Sequence, residues 1–370
     1  MLTHLKKWLK SKIPFTKDLT KKLSAKKWPD KSIVYYLGKR FLVLESDIKT
    51  KGASGSDSAV FFLTREWIKQ GYDVTVFTNC EDKEGIYGGV KYVNYEKINW
   101  YDTFDTFIMW RHPKMLPSYV KAKRIWFDWH DVVTFEPIYL NPYNKIFVKS
   151  YYQRNLLPEL PDNKFAIINN GADSSILELT KNQKQPYKLV YASRYYRGLE
   201  FMLTWGWQII KREIPEAELN IYYGWTKRDS TEKQIPWKQK MMELMQQQGV
   251  IEHGSIGHNQ LMYEKSTSVI HYYGCSYGEI DCISLRESAM VGCVPVTTNY
   301  AAIKEKDYCI KVDGDPQAKE TQEALAYRIV ELLKNPQELE TIREEIQEKV
   351  KNETWEHVAP LWLKNIDSYN

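Results

Sequence analysis

Two acidic residues, Glu279 and Glu287, lie eight positions apart in the stretch GEIDCISLRES (278–288). The next ten residues, AMVGCVPVTT, are typical of a helix end followed by a buried strand. Ser284 and Glu287 match a capping box, in which two side chains bond the free amides at the start of a helix. Alternatively, a helix N-terminus binds an anion such as a diphosphate, and Glu287 accepts bonds from the hydroxyls of an adjoining ribose. Both interpretations place the start of a helix between the two acids.

Two arginines, Arg194 and Arg197, follow a predicted strand at 187–193. A guanidinium group can bind phosphate through two parallel N–H bonds. Arg197 is followed by Gly198 at the start of a predicted helix, so its side chain can turn toward a cleft. The alternative is that both are solvated surface arginines, but their position at a strand end favours a phosphate site.

A loop rich in small residues, KGASGSDS (51–58), precedes a predicted helix. Gly52 and Gly55 would let the backbone approach a ligand closely. The loop lacks the G-x-G-x-x-G pattern, so the dinucleotide-binding signature is absent. A flexible loop without a ligand is the alternative.

A histidine, His130, ends a predicted strand in the stretch WFDWHD, beside Asp128 and Asp131. In this position it can bond sugar hydroxyls or transfer a proton. The alternative is a structural histidine whose ring is satisfied by its neighbours. His112 is less favoured, because the following Pro113 indicates a turn.

Segments typical of strands and helices alternate along the chain in two successive series. The first contains predicted strands at 40–46, 72–79, 104–110, 124–131, 145–150 and 164–171, and a helix at 59–71. The second contains predicted strands at 187–193, 218–224, 250–255, 268–274, 293–298 and 309–314, and helices at 198–214, 237–249, 284–292, 318–335 and 336–352. This pattern predicts an α/β protein with two Rossmann-like, doubly wound domains facing a central cleft. Ligands of such sheets bind beyond the carboxyl ends of the strands.

A polar segment without strand periodicity, 171–186, separates the two series. We therefore predict four parts of the chain. They are a basic leader at 1–38, an N-terminal domain at 39–172, a C-terminal domain at 173–352 and a final helical segment at 353–370.

Positive charge is concentrated at the start of the chain. The net charge is +5, but residues 1–40 carry +10, from eleven lysines and Arg40 against two aspartates, so the remainder carries −5. An acidic body disfavours binding to nucleic acid. Apolar residues with helical spacing occur among the lysines of the leader: Leu2, Leu5, Leu9 and Ile13. Residues 1–30 are therefore either a peripheral contact with an anionic membrane surface or a solvated leader that packs on the domain.

Cysteine use and hydropathy indicate a cytosolic-type, reducing compartment. The number of cysteines is odd, and none has the C-x-x-C spacing of metal ligands. No apolar run reaches the roughly 18 residues of a membrane span, and the N-terminus lacks the apolar core of a signal peptide. Aromatic residues make up 14% of the chain; they fill cores or stack on sugar rings.

Taken together, these motifs resemble the retaining GT-B glycosyltransferases of family GT4, over most of residues 40–370. The strongest element is Glu279-x7-Glu287, followed by a helix, Gly292 and a Val/Pro strand. Four further stretches also resemble the family: NNGAD (169–173), SRYYRGLE (193–200), PEAELNIYYG (215–224) and HGSIGHNQLMYEKS (253–266).

The resemblance implies roles in binding a nucleotide-sugar donor, with a UDP- or GDP-sugar favoured. Glu287 would bind the donor ribose. The backbone amides of Ile283 and Ser284 would contact the diphosphate, helped by Arg194 and Arg197. Gly55 would lie near the same diphosphate from the first domain.

The resemblance also implies the catalytic residues and the reaction. Glu279 would contact the donor sugar, and His130 would bind the transferred sugar from the other wall of the cleft. The implied reaction is transfer of the sugar, with retention, to a hydroxyl of a glycan or lipid-linked acceptor. No cofactor and no metal would be needed. The first domain would bind the acceptor, and the segment 353–367 would be a helix that returns to it.

The sequence departs from the family pattern at three places. Arg197 stands where the family usually has the lysine of an Arg/Lys phosphate pair, and its spacing from Arg194 is short. Ile280-Asp281-Cys282 stands where the family usually has Phe-Gly after the first Glu, and Ser54-Gly55 replaces a glycine pair. Three other functions remain open. They are a sugar-nucleotide epimerase of related shape, a DNA-modifying glucosyltransferase, which the acidic body disfavours, and a non-catalytic glycan-binding module, which the presence of both glutamates disfavours.

Overall fold

The computed structural model describes residues 19–367, which form two α/β domains, each built on its own sheet. The predicted amphipathic helix over residues 2–13 lies outside the described residues. Near the start of the described chain, the ring of Trp28 packs on Phe104 of the first domain with centroids 5.7 Å apart.

The N-terminal domain contains an eight-stranded sheet in the order β3-β4-β2-β1-β5-β6-β7-β8, parallel except for the β3–β4 pair. Its strands are β1 Ser32–Phe41, β2 Asp73–Asn79, β3 Gly85–Tyr87, β4 Val90–Asn94, β5 Thr103–Trp110, β6 Lys121–Asp128, β7 Lys145–Val148 and β8 Phe165–Ile167. Its helices are α1 Glu45–Lys51, α2 Gly55–Lys69 and α3 Tyr151–Arg154.

The C-terminal domain contains a six-stranded, fully parallel sheet in the order β11-β10-β9-β12-β13-β14. Its strands are β9 Lys188–Ala192, β10 Glu218–Tyr222, β11 Val250–Glu252, β12 Ile270–Tyr273, β13 Val294–Thr298 and β14 Ile310–Val312. The remaining helices are α4 Leu199–Phe201, α5 Trp207–Glu213, α6 Ile235–Leu244, α7 His258–Thr267, α8 Ile283–Met290, α9 Lys319–Lys334, α10 Pro336–Val350 and α11 Trp355–Asp367. Short 3₁₀ turns lie at Tyr95–Lys97, Pro113–Met115, Pro137–Tyr139, Asp162–Lys164, Ser174–Lys181, Tyr195–Arg197, Lys227–Ser230, Glu232–Gln234 and Ala301–Glu305.

The first strand does not lie where the sequence pattern places it. The prediction of a strand at 40–46 is wrong, because β1 spans Ser32–Phe41 and a helix, α1, begins at Glu45. The apolar run SIVYYL is buried on both faces, as expected for a central parallel strand. The range 1–38 assigned to a basic leader therefore includes most of a core strand.

The second helix begins inside the loop predicted at 51–58. The Ser54 hydroxyl accepts a bond from the amide of Asp57 at 3.4 Å, which caps α2 and starts it at Gly55. Val60, Leu63 and Trp67 recur at helical spacing and are buried in the core. The glycines of this loop therefore lie at or near a helix start.

The predicted helix at 198–214 contains an irregular turn. A π-helical segment, Met202–Gly206, lies between α4 and α5. A Cβ atom on Gly206 would be 2.1 Å from the hydroxyl of Tyr272, so only glycine lets this segment lie against β12.

The last helix, α11, packs on the N-terminal domain. Ala172 and Thr354 form an isolated parallel bridge where the chain passes between the domains. The Trp362 ring stacks on Phe147 with centroids 3.7 Å apart, and it meets the edge of Trp67 at 5.6 Å. Burial of one such side chain contributes about 2 to 3 kcal/mol.

Within residues 19–367, no helix is both long enough and apolar enough to cross a membrane.

Candidate functional site

The N-termini of two helices, α2 and α8, face each other between the domains. A Cβ atom on Gly55, the first residue of α2, would lie 3.3 Å from Cδ1 of Ile283, the first residue of α8. Gly52, with φ of 76°, similarly faces the carbonyl of Ile256, which a Cβ atom there would approach to 2.9 Å. The tertiary structure thus brings together Gly55 and Ile283, which are both predicted donor-site residues. Helix N-termini carry partial positive charge, so this edge favours an anion.

Helix α8 begins without a side-chain cap. Its N-cap residue is Cys282, with φ of 68°, and no side chain among the described residues caps the helix. The capping box of Ser284 and Glu287 is therefore wrong. The Ser284 hydroxyl instead donates to the carbonyl of Ala192 at 2.9 Å. The first amides of α8, those of Ile283 and Ser284, thus remain available to an anion.

Glu287 lies in a buried ion cluster beside α7. Its Oε1 is 2.8 Å from Nε2 of His258, and its Oε2 is 2.9 Å from Nζ of Lys265. Burial raises the pKa of Glu287, but the charges of Lys265 and His258 outweigh burial and hold the pKa well below its usual range. The carboxylate is therefore ionised at neutral pH and acts as an acceptor.

Glu279 lies after β12 and is paired with Arg197. The Glu279 Oε1 atom accepts from Nη1 of Arg197 at 2.5 Å and from the hydroxyl of Tyr273 at 2.7 Å. Arg197 also lies over the ring of Tyr277, 4.5 Å from its centroid. Its buried Nε has no partner among the described groups. Arg197 is therefore partly neutralised by Glu279 while one of its N–H groups remains unused.

Arg194 follows β9 and is held by an aromatic residue. Its Nε donates to the hydroxyl of Tyr223 at 2.6 Å. On the other domain, Arg40 pairs with Asp57 in the first turn of α2, with Nε 2.7 Å from Oδ1. Arg40 was not among the predicted site residues, although it places a cation near the N-terminus of α2.

His130 is buried beside Asp128 at the end of β6. Its Nε2 lies 3.0 Å from Oδ2 of Asp128, and that oxygen also accepts from the hydroxyl of Tyr35. The other oxygen, Oδ1, accepts from Nζ of Lys149 at 2.7 Å. Burial, together with the charges of Lys149 and Arg111, lowers the pKa of His130 more than Asp128 raises it, so the ring is neutral at neutral pH. Nε2 then donates to Asp128, and Nδ1 is the ring atom able to accept a bond from a hydroxyl.

The segments next to His130 and Glu279 meet across the cleft. A Cβ atom on Gly278 would lie 2.8 Å from the hydroxyl of Tyr152 and 3.8 Å from Cγ1 of Val132. Gly278 immediately precedes Glu279, and Val132 follows His130 by two residues. The two predicted catalytic residues therefore belong to opposing walls of one crevice.

Solved structures with the same arrangement of two domains decide the fold. Sucrose-phosphate synthase from Thermosynechococcus elongatus is 14% identical, with 91% of this chain and 98% of that chain covered and a TM-score of 0.69. A glycosyltransferase from Rickettsia africae is 11% identical, with 92% and 99% covered and a TM-score of 0.67. HepE from Anabaena, in complex with UDP and glucose, is 10% identical, with 91% and 99% covered and a TM-score of 0.67. The chain has the GT-B fold.

The GT-B fold confirms the predicted architecture of two parallel-sheet domains. No family model and no curated protein matches the sequence. The likeness to solved GT-B structures is therefore a likeness of fold at low identity.

Several residues of the GT-B cleft were not predicted as functional. Lys265 and His258 hold Glu287, Tyr273 holds Glu279, and Lys149 holds Asp128. The sequence contained one indication of the pair that holds Glu287. His258 and Lys265 are seven residues apart and so lie on one face of a helix. A lysine within a helix is normally solvated, so the sequence did not single it out.

Over residues 19–367, no group of three or more His, Cys, Asp or Glu side chains is arranged to hold a metal ion.

Proposed function

We propose that this chain is a nucleotide-sugar-dependent glycosyltransferase of the retaining GT4 type. The proposal rests on the approach of Gly55 to Ile283, which sets the N-terminus of α2 against that of α8. Ile283 lies between Glu279 and Glu287 in the sequence. Such a site suits a diphosphate flanked by two sugar rings. The likeness to HepE, solved in complex with UDP-glucose, supports a donor of this class. A UDP- or GDP-sugar is the proposed donor, and a hydroxyl of a glycan or lipid-linked molecule is the proposed acceptor.

The proposed donor site assigns one task to each predicted residue. The amides of Ile283 and Ser284, together with Arg194 and Arg197, would neutralise the leaving diphosphate. Glu287, ionised and held by Lys265, would accept bonds from the ribose hydroxyls.

In the proposed reaction, the bond between the anomeric carbon and the diphosphate oxygen breaks, and a bond to the acceptor oxygen forms on the same face. The acceptor proton passes to the leaving diphosphate oxygen. Glu279 and the neutral ring of His130 would orient hydroxyls of the transferred sugar. Because helix termini and arginines supply the positive charge, we propose that the reaction needs no metal.

A thermal-shift screen with UDP, GDP, ADP and their sugars tests the donor. A nucleotide present at 100 times its Kd would stabilise the protein by about 2.7 kcal/mol. We expect UDP or GDP to raise the melting temperature, and no shift with any nucleotide would contradict the proposal.

Nucleotide release measured with and without glycan acceptors then separates the functions. A transferase releases UDP or GDP faster when the acceptor is present, an epimerase converts the sugar without an acceptor, and a binding module releases nothing. An NMR assignment of the product anomer tests retention. Treatment with EDTA should leave the rate unchanged, whereas complete loss restored by Mn²⁺ would overturn metal independence.

We also propose that the basic leader contributes peripheral contact with an anionic membrane. This rests on the charge of +10 in residues 1–40. Deletion of residues 1–18 spares Trp28 and its contact with Phe104, and it should reduce co-sedimentation with anionic vesicles. Equal sedimentation of both forms would show that the segment is a solvated leader.

A further inference from the structure

A largely buried cluster of charged residues joins the donor loop, residues 279–284, to the two interdomain segments, residues 168–173 and 353–354. We call it the hinge cluster, and it consists of Asp281, Arg286, Lys306 and Glu353. The side chains of Asp281 and Arg286 are 1% and 0% exposed. Two acids and two bases are present, so their formal charges cancel.

Asp281 connects the donor loop to the first of these segments. Its two oxygens accept from Nη2 and Nη1 of Arg286 at 2.7 and 2.8 Å, and Nζ of Lys306 adds a bond of 2.6 Å. The second oxygen also accepts from the backbone amide of Asn170 at 3.1 Å. The carboxylate therefore contacts the chain just before it enters the C-terminal domain.

Arg286 connects α8 to the second segment through Glu353. Its Nε donates to the carboxylate of Glu353, which also accepts from Nδ2 of Asn169 at 3.2 Å. The backbone carbonyl of Glu353 accepts from the amide of Ala172 at 2.9 Å. One guanidinium thus bridges the donor loop and both interdomain segments.

Burying the hinge cluster costs free energy, so a gain in stability from packing does not explain why these charged residues are present. Burying ion pairs removes charges from water, and apolar residues of similar volume are often at least as stabilising. Cys282, the next residue after Asp281, has φ of 68°, a conformation that costs a non-glycine residue about 1 to 2 kcal/mol. Such backbone persists where its surroundings fix it, and here Asp281 and α8 hold it from both sides.

We propose that the hinge cluster positions the donor loop according to the angle between the domains. Asp281, Arg286 and Glu353 are positioning residues, which act through the backbone of 279–284. When the interdomain segments move, the carboxylate and guanidinium move the first amides of α8 with them. The inference rests on the proposed function, because it assigns that loop to the donor.

Hydrogen exchange of the ligand-free protein tests the connection itself. Glu353→Gln keeps the shape of a partly exposed side chain while removing its charge, so the variant should fold. We expect faster amide exchange in both 168–173 and 279–287. The control Glu213→Gln breaks an exposed pair with Lys334 and should change neither segment. Faster exchange in only one segment, or in neither, would overturn the proposal.

Binding of UDP and GDP tests the consequence for the donor site. At a temperature where both proteins are folded, we expect Glu353→Gln to weaken binding of the recognised nucleotide about tenfold, although Glu353 touches no donor group. Asp281→Asn combined with Glu353→Gln should be no weaker than Asp281→Asn alone, because both act through Arg286. Wild-type nucleotide affinity in Glu353→Gln would refute the proposal that the hinge cluster positions the donor loop. Losses of affinity that add up in the double variant would also refute it. If the wild type binds neither UDP nor GDP, the proposed function fails, and the exchange experiment still decides whether the segments are coupled.

Discussion

Nε2 of His258 lies 2.8 Å from Oε1 of Glu287, so a residue at the start of α7 holds the second of the two acids that flank the start of α8. Lys265 completes the arrangement from the other end of α7. Glu287 is thereby fixed as an ionised acceptor. A carboxylate that is aimed and ionised before a ligand arrives loses little entropy on binding.

Replacement of Glu287 by glutamine should weaken binding of UDP or GDP by tenfold or more. A hydrogen bond to a charged group contributes about 1.5 to 3 kcal/mol, and 1.4 kcal/mol corresponds to a factor of ten. Loss of the charge also leaves Lys265 buried, which should lower the free energy of unfolding by about 3 to 5 kcal/mol. Calorimetry and urea denaturation measure the two effects.

Glu264→Gln is the matched control for this variant. Glu264 pairs with Lys188 at 2.6 Å, at the start of β9 and away from the donor edge. It should lower stability without weakening nucleotide binding. Equal losses of affinity in both variants would show that Glu287 acts only on the fold.

The stability that His258 contributes should decline as pH rises. Burial lowers the pKa of His258, but the charge of Glu287 raises it by more. The folded pKa therefore lies above the ordinary value of 6.5. A raised pKa stabilises the folded state fully below about pH 6.5, and this contribution is lost as pH rises through the folded pKa. The unfolding free energies of wild type and His258→Gln should therefore converge as pH rises above about 6.5.

The comparison with His258→Gln isolates this group from other histidines. Burial lowers the pKa of both His130 and His271. Their contributions to stability are present above about pH 6.5 and are lost as pH falls. They are common to both proteins and cancel in the difference. A difference that grows with pH would mean that His258 is neutral beside Glu287.

Replacement of His130 by alanine should reduce turnover by roughly 100-fold, the typical loss of one aimed hydrogen-bonding group. Nucleotide affinity should change much less, because His130 lies on the opposite wall from Glu287. In the wild type, turnover should hold at pH 6.5 and fall only at lower pH, where the ring becomes protonated, because burial lowers the pKa of His130. His112→Gln, on an exposed residue, is the control. Turnover that rises in acid would instead require a protonated His130.

A carboxylate on the C-terminal domain should hold the two domains together. Glu305 accepts from the amides of Tyr151 and Tyr152 on the N-terminal domain at 2.9 and 2.6 Å. Each bond contributes about 1 kcal/mol, so Glu305→Ala should favour more open domains. Small-angle scattering should show a larger radius of gyration. Asp307→Asn, at an exposed neighbouring position, should leave the radius unchanged, and an unchanged radius in Glu305→Ala would contradict the prediction.

The sequence predicted most strands well because apolar runs mark them directly. The run FDTFIMW is β5, and the apolar part of SVIHYYG is β12, each displaced by no more than two residues at its start. The first strand was misplaced because SIVYYL lies within the lysine-rich residues 1–40, whose charge pattern predicted a basic leader. Helix α7 was not predicted because its apolar positions are few, and its buried face is completed by Lys265.

The candidate site was partly accessible from the sequence. The spacing of Glu279 and Glu287 indicated a helix start between them, and α8 begins there, at Ile283. The capping box was wrong because Ser-x-x-Glu is a local pattern, whereas Ser284 bonds Ala192, ninety-two residues away. The roles of the site residues in binding and catalysis stay predictions.

The sequence by itself determined the α/β alternation, the two series of strands and the helix start beside two acids. These features depend on near neighbours in the chain, through periodicity and turn chemistry. Only the tertiary structure decided that Gly55 meets Ile283, that Lys265 is buried on Glu287 and that Asp281 reaches the interdomain segments. Those contacts join residues 22 to 228 positions apart. Their partners are set by the packing of whole sheets, which no local pattern encodes.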